Sequence, residues 1–291
     1  MNTLRRRLVP YFLLGPGLIW LILFFVVPMY YMGRLSLESG SLLAGGFEFT
    51  WEWSNFSDGL SQFDSQFARS FLYAGIATVA ALLIAYPLAY AIAFRAGKWK
   101  YLLLFAVIAP FFTTYLIRTI AWQTILSDSS AVVDVLDTFG LAGSNHRVLA
   151  EPGSVIAGLT YNFLPFMILP IYASLERIDV RLIEAAKDLY ASAREAFWRV
   201  TLPLTAPGIV AGTLLTFIPA AGDYINAELL GSPNTAMIGN VIQSLYLEQR
   251  NYPTAAALSF ILMAVILAAV VLYIRFAGSE ALMGEEAEQA R

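Results

Sequence analysis

The stretch FIPAAGDYINAELLG, Phe217 to Gly231, sets two carboxylates, Asp223 and Glu228, and one phenol, Tyr224, into an otherwise apolar run. Carboxylates offset the hydration a cation loses on leaving water, and aromatic faces add about 0.5–2 kcal/mol per contact. This equipment suits the passage of a cation. Tyr115, in another apolar run, is a further candidate to line the same path. A structural role stands beside that reading, because Asp is common at helix breaks, where its side chain bonds nearby N–H groups, and Glu228 can simply be solvated. Other chemistry is thinly supplied. The chain has no cysteine and a single histidine, His146. That excludes disulfides, thiolate metal sites and cysteine nucleophiles, and a lone histidine in a polar stretch lacks the partners that metal centres and triads need. A phosphate-binding loop is also missing, since Gly97-Lys98 has Ile92 where the first glycine should stand. No catalytic residue, metal site or cofactor is expected in this chain, and any nucleotide chemistry must belong to another chain.

The elements that must position these residues are membrane helices. Of the 291 residues, 58% are hydrophobic and 13% charged, against about 25% charged in soluble domains. Apolar runs recur at about 20 residues, the length a helix needs to cross a bilayer. The expected fold is all-α and polytopic, with six spans at Tyr11–Tyr31, Ser70–Phe94, Tyr101–Leu126, Gly153–Leu175, Pro207–Ala221 and Thr254–Phe276. The fifth is short and is expected to be broken by Pro207, Gly208, Gly212, Pro219 and Gly222. Such interrupted segments often line a cavity, because loosened backbone needs polar partners.

Basic residues orient the chain. With the N-terminus inside, thirteen of the 18 lysines and arginines fall on inner segments, four (Arg34, Arg69, Arg147, Arg250) fall on outer loops, and Arg118 lies within the third span. Both termini are then cytoplasmic, in the plasma (inner) membrane of a multi-pass protein. Residues 1–10 form the cytoplasmic N-terminus, 11–276 the transmembrane domain and 277–291 a short acidic cytoplasmic tail. No small-residue cleavage site follows the first apolar run, so it is read as an uncleaved span. In the outer loop after it, FEFTWEWSNF (Phe47 to Phe56) is expected to be an interfacial segment anchored by Trp51 and Trp53, with a strand as the alternative. The outer segments carry many more carboxylates than basic groups, so that face attracts cations. Arg118 is expected to make an internal ion pair, with gate control as the alternative. Tyr161-Asn162 is read as a helix–helix hydrogen-bonding position.

Between the fourth and fifth spans lies a charged, alanine-rich stretch, EAAKDLYASAREAFWRVTLPL, Glu184 to Leu204. Asp179 can cap a first helix that places Leu182, Ala186 and Leu189 on one face. Ser192 with Glu195 three residues later forms a capping-box pattern for a second helix. That helix aligns Ala193, Ala196, Phe197 and Val200, lets Glu195 pair with Arg199, and is expected to end at Pro203. The pair is either an amphipathic hairpin at the lipid interface or a docking knob. Its small alanines, in place of bulky apolar residues, favour docking.

This stretch resembles the cytoplasmic EAA loop of ATP-binding-cassette importer permeases. YNFLPFMILPIYASLERID (Tyr161–Asp179), FFTTYLIRTIAW (Phe111–Trp122) and FIPAAGDYINAELLG look like the spermidine/putrescine permeases, specifically the first of their two paired membrane subunits. The resemblance implies a type I importer permease fold with its coupling loop at residues 179–204. It also implies that Glu184, Ala185, Ala186, Asp188, Leu189, Tyr190, Ala191 and Ser192 couple to an ATPase. The partners it implies are a second, homologous permease, two ATP-binding subunits and an external solute-binding protein. The cargo implied is a polyamine; alternatives are an anion or amino acid carried by the same machinery, or an ion-coupled secondary transporter. The family usually has glycine where this chain has Tyr190. If that position is left-handed, tyrosine costs roughly 1–2 kcal/mol.

Overall fold

The computed structural model describes residues 14–41, 45–140 and 147–275. The N-terminal basic cluster, His146 and the tail lie outside the described residues. Among those described, four helices are long and apolar enough to cross a membrane, or six if each of two bent pairs counts as one span. The residues group into two compact units, one of 14–41, 45–64 and 242–263, the other of 65–140, 147–241 and 264–275.

In the first unit, α1 runs Leu14–Leu35 and contains one widened π-turn at Ile22–Val26. After it, β1 (Glu38–Ser41) and β2 (Gly46–Phe49) pair antiparallel, Glu38 opposite Phe49 and Ser41 opposite Gly46. The Asn55 side chain ties the hairpin down, donating to the carbonyls of Ser36 at 3.0 Å and Glu38 at 2.9 Å. The aromatic–polar alternation after Phe47 therefore forms a short strand before it gives way to α2, Ser54–Gln62. Trp51 and Trp53 are both exposed. Gly59 of α2 faces Leu258, where an added Cβ would stand 3.1 Å from Leu258 Cδ2.

In the chain order that follows, α3 spans Asp64–Phe94 and α4 spans Lys100–Ile108. The third expected span is not one straight helix. Pro110 lacks an N–H and its ring crowds the carbonyl four residues back; Ala109–Phe112 tightens to a 3-10 turn, and Thr113 and Thr114 after it are extended. The chain then re-enters helix as α5, Tyr115–Ile125, bent by 96° from the segment before it. A short helix, α6, occupies Ala131–Thr138, and α7 runs Pro152–Glu176. Two helices follow, α8 (Val180–Asp188) and α9 (Ala193–Leu204), before α10, Ala206–Ala221. The bend between α9 and α10 is 62°. The last helices are α11 (Ile225–Leu230), α12 (Ile238–Leu247) and α13 (Tyr252–Tyr273).

The fifth span differs from expectation: α10 is continuous from Ala206 to Ala221. Pro207 sits in its first turn, where a missing N–H costs nothing. Gly208 and Gly212, one turn apart, are used for packing. A Cβ at Gly208 would collide with the Pro170 carbonyl and Ser174 Oγ of α7, and one at Gly212 would stand 2.9 Å from Met167 Sδ. Lipid tails are as apolar as leucine, so helices in a membrane associate through close backbone approach of this kind. The α7–α10 seam is the centre of the second unit. Ala81, Ala85, Ile92, Met167, Ile168, Ile171 and Leu175 are buried in one apolar cluster, and Tyr73, Ala74, Val155, Leu159 and Ala220 in another.

Candidate functional site

The helix pair α8–α9 stands between α7 and α10, with α9 joined to α10 at a 62° bend. Asp179 caps α8, its Oδ1 accepting the Arg181 N–H at 3.0 Å, and Ser192 caps α9 with a reciprocal capping box. The Ser192 hydroxyl accepts the Glu195 N–H at 3.2 Å, while Glu195 Oε2 accepts the Ser192 N–H at 2.8 Å. The N–H and hydroxyl of Ser192 hold the Glu195 carboxyl below its ordinary range. Its carboxylate serves the cap in place of the expected pair with Arg199, whose charge adds only a smaller electrostatic effect. Nor does Pro203 end α9. The turn Phe197–Thr201 before it widens to the π form, which relieves the clash between the proline ring and the carbonyl four residues back. The helix ends one residue later, at Leu204.

Between the two helices the backbone turns through Tyr190 at φ +64°. The Tyr190 N–H reaches the Lys187 carbonyl at 2.9 Å and the Ala191 N–H reaches that of Ala186 at 3.0 Å. These two bonds make a Schellman closure, whose left-handed position is normally glycine. A tyrosine there stores about 1–2 kcal/mol of strain. Its ring is 98% exposed and Leu189 beside it 82%. Leu182 is exposed too, so the face of α8 that carries Leu182, Ala186 and Leu189 is not spent on this chain's own core. Ile183 packs inward instead, and Phe197 of α9 packs edge-on against Tyr86 at 5.6 Å. Glu184, Ala185 and Asp188 are exposed, and Ala186, Leu189, Tyr190 and Ala191 border a hollow of about 300 Å³ with Glu195 and Ala196. The expected coupling residues thus share one open surface.

The second candidate region lies where α10 stops. Gly222 to Tyr224 leave the helix, and Asp223 reaches both ways across the gap. Its Oδ1 accepts the N–H of Asn226, in the first turn of α11, at 2.8 Å, and its Oδ2 accepts the Tyr115 hydroxyl at 2.5 Å. The break before α5 is what allows this, because it starts a new helix with Tyr115 in its first turn. The Asn226 amide also donates to the Tyr115 hydroxyl, and its carbonyl oxygen accepts from Asn162 at 3.0 Å. Asn162 donates in turn to Thr119 Oγ1 at 3.2 Å. A chain of side chains from α5, α7 and α11 therefore crosses the second unit, with Asp223 only 9% exposed. Gly158 makes room for it, since a Cβ there would meet Leu230 and the Asn226 side chain.

Of the four residues expected on the path, Tyr115 and Asp223 are brought together. Tyr224 follows Asp223 in sequence but turns outward, 42% exposed. Glu228 is exposed and accepts from Asn240 at 3.1 Å, apart from the Asp223 group. Sequence reasoning missed Asn226 and Thr119, although a polar amide inside YINAELL was a signal of a buried bond. Arg118 is buried, yet it forms no ion pair among the described residues. Its guanidinium lies over the rings of Phe111 and Tyr115, at 5.1 and 5.6 Å. The expected internal ion pair is absent from this arrangement.

Comparison with known proteins agrees with this geometry. Residues 6–278 match the family of binding-protein-dependent transport system inner membrane components. The chain is 42% identical over 207 residues to the spermidine/putrescine transport system permease protein PotB of Haemophilus influenzae, covering 71% of this chain and 72% of that one. It is 42% identical over 187 residues to PotB of Escherichia coli, covering 64% and 68%. The inner membrane ABC transporter permease protein YdcU of Escherichia coli is 35% identical over 221 residues, covering 72% and 69%. Among solved structures, a bacterial ABC transporter involved in the import of the acidic polysaccharide alginate superposes with a TM-score of 0.68 at 20% identity, covering 94% of this chain and 96% of that one. At that identity the likeness is one of fold.

Proposed function

The chain belongs to the family of binding-protein-dependent transport system inner membrane components, and on that premise we propose that it forms half of the membrane path of an ATP-driven polyamine importer. It is a multi-pass inner-membrane transport subunit and not an enzyme. Its partners in this reading are a second permease, two ATP-binding subunits on the cytoplasmic side and a solute-binding protein on the other, with both termini cytoplasmic. ATP-driven closure of the nucleotide-binding subunits pulls on the α8–α9 pair, and the spans rock between inward and outward openings.

The observation that carries this reading is the α8–α9 surface. One side of it is packed on the membrane helices through Ile183 and Phe197. The other leaves Leu182, Leu189 and a strained Tyr190 uncovered. A hairpin lying in lipid would turn bulky apolar residues to the bilayer, whereas this face mixes them with Glu184, Asp188 and Lys187. The Glu184 side chain makes no hydrogen bond or ion pair among the described residues, which leaves its charge for a partner. For the cargo, Asp223 with Tyr115 supplies a carboxylate and an aromatic face at a helix break. The polyamine assignment also draws on the names of the permease relatives. Purification from native membranes followed by mass spectrometry of protein and small molecules tests the reading. An ATP-binding subunit, a second permease and a polyamine are expected together; a chain that travels alone and moves solute on an ion gradient would overturn it.

A further inference from the structure

Arg118 is left unexplained by the path just described. Its side chain is 9% exposed, and Nε and Nη1 are buried without any hydrogen-bond partner. Arginine cannot shed its charge in a protein, and a buried charge lacking acceptors is costly enough that native structures rarely keep one. The rings of Phe111 and Tyr115 attract the guanidinium through their faces, but ring faces are poor substitutes for in-plane acceptors. The two orphan nitrogens have no accessible surface, so a chain docking from outside cannot reach them in this arrangement. The acceptor has to come from within.

The buried carboxylate on the same side-chain network is Asp223. Tyr115 touches both groups, holding the guanidinium over its ring and the carboxylate on its hydroxyl. Arg118 and Tyr115 are three residues apart on α5 and so share a face. Asp223 stands on the non-helical segment between α10 and α11, and its bond to Tyr115 is the one that ties its carboxylate to α5. Tyr115 is the neighbour both groups share, so it is the point at which the phenol can give way to the guanidinium. We infer that Arg118 is a tethered cation that takes the Asp223 carboxylate from Tyr115 when cargo leaves it. Cargo ammonium and guanidinium compete for the same oxygens, so both cannot be seated at once. While Tyr115 holds Asp223, Arg118 rests on the aromatic rings; in the exchanged state Arg118 neutralises the carboxylate and opposes rebinding of cargo. The same exchange gives the two orphan nitrogens their acceptors. Arg118 in this scheme is a release residue for the path.

The inference rests on the reading of Asp223 as a cargo contact, and its test separates the two. The complete importer, reconstituted with its ATPase and binding protein, is assayed for uptake of labelled spermidine. Wild type is compared with Arg118→Gln, Arg118→Lys, Asp223→Asn and the Arg118→Gln/Asp223→Asn double variant. Arg118→Gln is expected to lower maximal uptake about tenfold and to lower KM as well, because cargo is held longer. Arg118→Lys should stay within about threefold of wild type. In the Asp223→Asn background Arg118→Gln should add less than about twofold, since the partner is already gone. An equal loss in both backgrounds, or wild-type kinetics in Arg118→Gln, overturns the inference. Wild-type uptake by Asp223→Asn would instead remove the cargo reading beneath it. If Arg118→Gln reduces the amount of assembled complex, the reversed pair Arg118→Asp with Asp223→Arg decides. Uptake per complex above either single variant supports the exchange, and none above them overturns it.

Discussion

The α8–α9 surface and the Asp223 cluster are both polar features in a greasy chain, and they are finished to different degrees. Around Asp223 the chain supplies its own partners. Each carboxylate oxygen has a donor, the amides of Asn226 and Asn162 are chained together, and the apolar packing of α7 and α10 closes over them. At the α8–α9 tip the chain supplies its own caps but not its own cover. Leu189 and Tyr190 stand in the open on a backbone that a glycine would occupy more cheaply. A self-satisfied site tolerates change badly from within, because removing one partner strands another. An uncovered one tolerates change in isolation and fails only in the assembly. The contrast matches the proposal of one region for cargo and another for a subunit.

The largest expected effect falls on the uncovered side. Glu184→Lys reverses an exposed charge that has no internal role, so the protein should remain folded in the membrane while coupled uptake is lost, by about 100-fold or more if the charge meets a buried counter-charge in the complex. Uptake per amount of inserted protein checks it, and normal uptake with normal ATPase assembly would erase the distinction between the two regions. Next is Asp223→Asn, which keeps the shape and removes the charge. Loss of charge-assisted bonds worth about 1.5–3 kcal/mol should reduce polyamine uptake about ten- to a hundredfold. ATP hydrolysis and assembly should be retained, as measured on the purified complex.

Tyr190→Gly sharpens the comparison because its two consequences oppose each other. Relief of the left-handed strain should stabilise the isolated chain by about 1 kcal/mol. Removal of the ring should weaken capture of the ATPase severalfold, with Tyr190→Phe close to wild type. A glycine variant that is both more stable and equally well docked would mean that the ring contacts nothing. The smallest effect is expected from Ser192→Ala, which removes the α9 cap at a cost of roughly 1 kcal/mol. Glu195 in that cap has a depressed folded-state pKa. Its contribution is therefore present above the ordinary carboxylate range and lost as pH falls through the depressed value. Thermal unfolding in detergent across that pH range should show a slope that flattens in Ser192→Ala.

How much of this was legible in the sequence follows from the range of the forces involved. Spans and caps are local, so the hydropathy runs, Asp179 and the Ser192–Glu195 box could be read directly. The consequences of proline and glycine were harder, because they depend on what lies opposite. Gly208 and Gly212 look like helix breakers in isolation and act as a packing seam once α7 is beside them. The third span bends by 96° where Thr113 and Thr114, after the Pro110 turn, leave the helix. The strand at Gly46–Phe49 was obscured because aromatic–polar alternation suits an interface and a hairpin equally. Tyr115 and Asp223 are 108 residues apart, and only tertiary structure joins them. Arg118 was expected to find a partner because buried charges normally do. That none is formed among the described residues is information the sequence could not contain.

The most direct measurement is uptake of labelled spermidine into proteoliposomes containing the full complex, with ATP sealed inside and the solute-binding protein outside. ATP-dependent accumulation, competed by putrescine and insensitive to collapse of ion gradients, is the expected result. Accumulation that needs an ion gradient and no ATP, or transport of an anion or amino acid with no transport of polyamine, would contradict the account.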